Sequence, residues 1–183
     1  MTEQKYLYVV LTATESLVAR AVHRLTHDRY THSALALEPS LNAMYSFSRA
    51  YSRFPFYGKF RKESPDTGFL ARCRRIPAKV IALPVTSEQY DLAEQRLSYF
   101  SDHAKRYGYN YIGMFLNLIG KSHASKRRYT CSQFVSETLF ECGIAEFDRP
   151  FSLIRPVMLE KLRGEVIYEG NLHEYTVSAA ATV

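Results

Sequence analysis

The chain has 183 residues, 46% of them hydrophobic and 23% charged, with a formal net charge of +6 and a sequence pI of about 9.2. That length suits one well-cored domain, and the composition excludes a low-complexity chain. No run reaches the ~18 apolar residues of a membrane span. The excess of bases favours anionic partners without choosing among nucleic acid, lipid headgroups and acidic substrates.

The N-terminal "MTEQKYLYVVLTATES" has too short an apolar stretch for a signal peptide and no small-residue cleavage site, so a cytoplasmic location is expected. Three cysteines, Cys73, Cys131 and Cys142, are an odd count without a CxxC pair. This argues against a disulfide framework and a zinc knuckle. No repeat is present. One domain over residues 1–176 and a frayed tail over 177–183 are expected.

"YLYVVLT" (6–12) reads as a buried strand. Thr14 can cap a helix whose apolar face is Leu17, Val18, Ala21, Val22 and Leu25. "YTHSALALE" follows as a strand, with His32, Ala34 and Ala36 on one face and Ser33, Leu35 and Leu37 on the other. "MYSFS" is its antiparallel neighbour after a turn. Residues 49–68, "RAYSRFPFYGKFRKESPDTG", mix aromatics and bases without a period and read as a long excursion from the sheet.

"FLARCRRI" and "KVIALPV" look like two further strands. Thr86 and Gln89 have capping-box spacing ahead of a helix bearing Tyr90, Ala93, Leu97, Phe100 and Ala104 on one side. "YGYNYIGMFLNLIG" becomes helical in its second half, and "KSHASKRR" is a basic loop. A short helix then begins near Cys131 and ends at Gly143 as its C′ residue. "EVIYEGNLHEYTV" closes the domain as a strand or hairpin. Strands and helices are segregated rather than alternating, which gives an α+β class.

Cys131, Phe134, Val135, Thr138, Leu139 and Cys142 form one helical face. Periodicity alone makes both cysteines small core hydrophobes. Position separates them. Cys131 lies at a helix N-terminus, where unpaired N–H groups and the dipole lower a thiol pKa, whereas Cys142 lies at the opposite end. A reactive thiol needs a base. His23 and His27 are four apart, but without an HExxH pattern they read as an exposed helix face. His103, His123 and His173 sit in polar contexts. His32 starts a strand on the face with Ala34 and Ala36, where small side chains leave room for another element. A core histidine bonded to backbone is the alternative there.

"YTHSALAL", then "MYSFSRA", then "YGYNYIG" and "YTCSQFV" resemble the circularly permuted branch of the NlpC-like papain-fold cysteine hydrolases. YiiX-like proteins and lecithin:retinol acyltransferase are relatives of that branch. In it the histidine strand precedes the cysteine helix, as here. The resemblance covers under half the chain, in three patches: His32 to about Ser48, "YGYNYIG", and Cys131 to Gly143. It implies a papain-like sheet packed on helices in permuted order, with Cys131 as nucleophile at a helix N-terminus and His32 as base. The family places a third polar residue, often Glu or His, on the strand after the histidine; Ser46 occupies that position here, with Ser48 one same-face step away.

The expected activity is a thiol hydrolase or acyltransferase that cleaves an amide, ester or thioester through an acyl-cysteine, with no cofactor or metal. Tyr30, Phe56, Tyr57, Tyr109 and Gln133 are the expected substrate-binding residues for a small-molecule, peptide or lipid acyl substrate, and residues 49–68 are the expected lid. The alternative is a catalytically silent binding module for an anionic partner, a lipid headgroup at a membrane surface or nucleic acid. Arg72 and Arg74 on one strand face and the "SKRR" loop are basic patches. With no nucleic-acid motif and no Trp, nucleic acid is not the expected partner.

Overall fold

The computed structural model describes residues 4–13, 17–49 and 57–177. The expected cap at Thr14, the substrate residue Phe56, residues 50–56 of the expected lid and residues 178–183 of the tail lie outside the described residues.

The chain runs β1 (Lys5–Thr12), α1 (Leu17–Thr26), β2 (His32–Ala36), β3 (Met44–Arg49), β4 (Gly58–Glu63), β5 (Pro77–Val85), α2 (Ser87–Asp102), β6 (Gly108–Tyr109), α3 (Tyr111–Leu118), β7 (Arg128–Tyr129), α4 (Cys131–Glu141) and β8 (Glu165–Asn171). Six strands form one antiparallel sheet in the order β4-β3-β2-β1-β5-β8. The short β6 and β7 form a separate parallel ribbon. The class is α+β. No helix among the described residues is long and apolar enough to cross a membrane.

Because strand side chains alternate, the sheet carries a core on each face. One face holds Val9, Leu11, Leu35, Phe47, Phe60, Ile81 and Leu83, packed against Leu97 and Phe100 of α2 and Phe134, Val135 and Leu139 of α4. The other holds Tyr8, Val10, Ala34, Ala36, Val80 and Ala82, covered by Leu41, Leu70, Ile76 and Leu172 from connecting segments. Small side chains on that second face let turns, rather than a helix, approach closely. The room beside Ala34 and Ala36 is therefore filled by loops, and α4 lies on the opposite, Leu35 face.

Both predicted helix signals are present. Thr86 and Gln89 close a reciprocal capping box on α2. Gly143, at φ 65°, ends α4: its N–H reaches the Phe140 carbonyl and the Ile144 N–H reaches the Leu139 carbonyl, which is the Schellman arrangement.

Two readings are corrected. "FLARCRRI" is not a strand: Leu70, Ala71 and Arg72 form one 3₁₀ turn just after Gly68, which adopts φ 64°. The turn buries Leu70 into the second core, so the apolar residues serve as a plug rather than a pleated face, and Cys73 is not mid-strand. Arg72 and Arg74 accordingly share no strand face. Residues 49–68 are not wholly irregular either. Gly58–Glu63 pairs along the length of β3, from Arg49↔Gly58 to Met44↔Glu63. The bases of this segment hid its period: Gly58 and Phe60 face inward, while Lys62 is exposed.

Candidate active site

Cys131 is the first helical residue of α4. Thr130 adopts an extended conformation (φ −83°, ψ 164°) that turns the chain from β7 into the helix, and its Oγ1 accepts the Gln133 N–H at 3.2 Å. The N–H groups ahead of the first helical hydrogen bond have no carbonyl within the helix to serve. One of them, on Ser132, donates to the Cys131 sulfur. The Ser132 hydroxyl holds the Ile154 carbonyl at 2.6 Å and so ties the segment after α4 to this end of the helix.

His32 begins β2 opposite Thr12 of β1. β2 and β3 are paired only at Leu35↔Tyr45 and Ala36↔Met44, so the ladder stops short of His32. There the Ser33 N–H, not engaged by β3, donates to the Cys131 sulfur. α4 packs on the Leu35 face, while His32 and Ala34 share the other. The thiol and the imidazole thus meet through the opening where β2 and β3 part, and they hydrogen-bond to each other.

The group behind the imidazole is Glu63, the last residue of β4. Its Oε2 accepts His32 Nε2–H at 3.2 Å and the Ser46 hydroxyl at 2.8 Å; its Oε1 accepts the Ser48 hydroxyl at 2.6 Å. This corrects the expectation for Ser46: the serine is buried and supports the carboxylate that orients the ring. The three strands divide the work physically: β2 supplies the ring, β4 the carboxylate, and the intervening β3 the two hydroxyls beneath it. With Nε2 bound to Glu63, Nδ1 is the ring nitrogen left for the thiol.

The electrostatics follow from this chain of contacts. Burial opposes the charged form of each group and is the largest influence on each, yet the contacts outweigh it. Hydrogen bonds and charge from Cys131 and Glu63 raise the His32 pKa from 6.5 to about 10. The His32 ring and then the Ser48 and Ser46 hydroxyls lower Glu63 from 4.5 to about 2. The imidazolium, with the Ser33 and Ser132 N–H groups, lowers the Cys131 thiol below its ordinary value. The His32 and Glu63 side chains keep only 16% and 14% of their surface exposed, so water screens the pair weakly. These contacts favour the thiolate and imidazolium forms beside the Glu63 carboxylate. Cys142 differs, because burial pushes its thiol up.

Such an array can add a thiolate to a carbonyl carbon and protonate a leaving group from the imidazolium.

The other expected substrate residues are distributed as follows. Tyr30, two residues ahead of His32, is fully buried; its hydroxyl has no hydrogen-bond partner among the described residues, and Arg29 and Lys79 stand 5.3 and 5.9 Å from its ring centroid. Tyr57 is exposed at the start of the β4 arm. Tyr109 packs on Tyr111 with ring centroids 4.7 Å apart. Gln133 is buried two residues after Cys131, bonded to Glu137, and its side-chain carbonyl has no partner among the described residues. Glu63 is the residue that sequence reasoning missed. Its signal was a single acid closing a run of three bases, Lys59, Arg61 and Lys62, on a strand whose alternation those bases obscured.

No protein-family model matches the chain, and neither a curated protein nor a solved structure matches it.

Proposed function

We propose that the protein is a cysteine hydrolase or acyltransferase of the permuted papain-like kind, acting on an amide, ester or thioester. The observation that carries this reading is the Cys131–His32–Glu63 chain of hydrogen bonds, with the sulfur at a helix N-terminus. The order of elements supports it as well, since the histidine strand precedes the cysteine helix as in the permuted branch that the sequence resembles.

In this reading the Cys131 thiolate attacks the carbonyl carbon. The negative oxygen of the tetrahedral adduct is stabilised by the backbone N–H of Cys131 at the start of α4. His32, already protonated, gives its proton to the departing amine, alkoxide or thiolate, leaving an acyl-cysteine. The neutral ring then takes a proton from water or another acceptor, which attacks the acyl carbon, and the thiolate leaves. Glu63 stabilises the imidazolium and keeps Nδ1 toward the sulfur, with Ser46 and Ser48 holding the carboxylate. No metal or cofactor enters these steps.

The test is intact-mass spectrometry after mixing with activated acyl esters of varied chain length. The expected result is a single acyl adduct on Cys131, which decays in water and is absent from Cys131→Ala. Cys131 is only 4% exposed. That burial favours a second reading, a silent binding module, and this one predicts no adduct with any acyl donor.

A further inference from the structure

α3 is apolar on nearly every side yet lies on the surface. Of its eight residues, "YIGMFLNL", only Gly113 is buried. Ile112 is 63% and Phe115 51% exposed, and Ile119, which caps the helix, is 65% exposed. A surface helix normally pairs one apolar stripe with a polar face. This one has no polar face, and no α3 side chain belongs to the buried cores. α1 touches α3 and adds Leu25, 70% exposed. Large exposed apolar side chains gathered on adjacent elements mark an interaction site rather than ordinary surface.

The charges beside this face select the partner. After α3 the chain folds back along the helix: the Lys121 N–H reaches the Leu116 carbonyl at 2.9 Å, and Asn110 at the opposite end of α3 holds the His123 carbonyl at 2.9 Å. The loop continues through Lys126, Arg127 and Arg128, all exposed, as are Lys121 and, on α1, Arg20 and Arg24. None of these six cations forms an ion pair with another described residue. Exposed apolar side chains on a helix flanked by a loop and a second helix that carry uncompensated bases suit an element that lies in a membrane interface, with the bases at the headgroups.

We infer that the α1–α3 face docks the protein on an anionic lipid bilayer, with Leu25, Ile112, Phe115 and Ile119 entering the headgroup–acyl boundary and the bases of α1 and residues 121–128 pairing with lipid phosphates. The ribbon of β6 and β7 sets this face next to the site, because β6 leads into α3 and β7 leads into Cys131. The inference does not depend on catalysis.

The experiment is co-sedimentation of the full chain with vesicles of phosphatidylcholine plus phosphatidylglycerol, against phosphatidylcholine alone. Binding to the anionic vesicles, weakened by salt, is expected. Replacing Ile112, Phe115 and Ile119 by Ser should lower partitioning at least ~10-fold. Lys121→Glu with Lys126→Glu, on an exposed loop where folding is not at stake, should lower it as well and reduce its salt dependence. Cys131→Ala should bind like the parent, which separates docking from the thiol chemistry. A parent chain that ignores anionic vesicles overturns the inference, and so do Lys121 and Lys126 variants that bind unchanged. A parent dimer in solution that the serine variant dissolves assigns the face to a second copy of the chain, and also overturns it.

Discussion

Glu63 Oε2 lies 3.2 Å from His32 Nε2, although the two residues are 31 positions apart and belong to strands separated by β3. The carboxylate is anchored independently of the ring, by Ser46 and Ser48, so it sets the imidazole rather than following it. Removing its charge should lower the His32 pKa, loosen the ion pair and raise the Cys131 pKa. Glu63→Gln is therefore expected to slow iodoacetamide alkylation of Cys131 at pH 7 by about tenfold, since one pKa unit is a tenfold change in ionised fraction. Ser46→Ala should slow it less, because Ser48 still holds the other oxygen. An unchanged pH–rate profile in Glu63→Gln would falsify the supporting role of the carboxylate.

His32→Ala tests the couple from the other side. Without the imidazolium, the thiol keeps only the helix terminus and the Ser33 and Ser132 N–H groups, against the cost of burial. Alkylation of Cys131 should fall at least several-fold at pH 7 and hardly change near pH 10, where the thiol ionises unaided. Peptide mapping assigns the label. In the parent it is expected on Cys131 ahead of Cys142, whose thiol is raised by burial.

The same shifts predict how stability depends on pH. Glu63 is depressed from 4.5 to about 2 on folding, so its contribution is present above 4.5 and lost as pH falls through that window. His32 is raised from 6.5 to about 10, so its contribution is present below 6.5 and lost as pH rises toward 10. Urea midpoints of the parent should decline on both sides. Glu63→Gln should flatten the acid limb and His32→Ala the alkaline limb. Parallel curves for parent and variants would show that neither group is linked to folding.

The core beneath the site makes a stability prediction. Phe47 is fully buried on β3, between the two site serines, and packs against Phe60, Phe100, Tyr129 and Phe134 with ring centroids 5.1–6.0 Å away. Phe47→Ala should cost about 3–5 kcal/mol, from lost burial and the cavity left among rings that cannot close on it. Urea unfolding at pH 7 measures this. A loss below about 1 kcal/mol would mean that the cluster repacks freely.

Local signals in the sequence specified much of the chain. The Thr86–Gln89 spacing and Gly143 are read from neighbours a few residues away, and the alternation in "YLYVVLT" and "HSALA" is intrinsic to a pleated strand. Cys131 stood out for the same reason: a helix N-terminus is a local property, and so is the charge environment that it gives a thiol. His32 was legible only with the resemblance, because a histidine opening a strand fits a core role equally well.

Tertiary structure decided the rest. The small face of β2 could have received α4; the antiparallel order β4-β3-β2 and the plug at Leu70 filled that face from the other side and sent the helix to the Leu35 face. Glu63 reaches His32 only because β4 folds back on β3 and β2 parts from β3 beyond Leu35. No periodicity encodes that opening, since it depends on where a ladder between distant strands ends. The exposed state of α3 is likewise absent from its composition: a mostly apolar helix of eight residues reads as a core element until the surrounding strands and helices have filled the core without it.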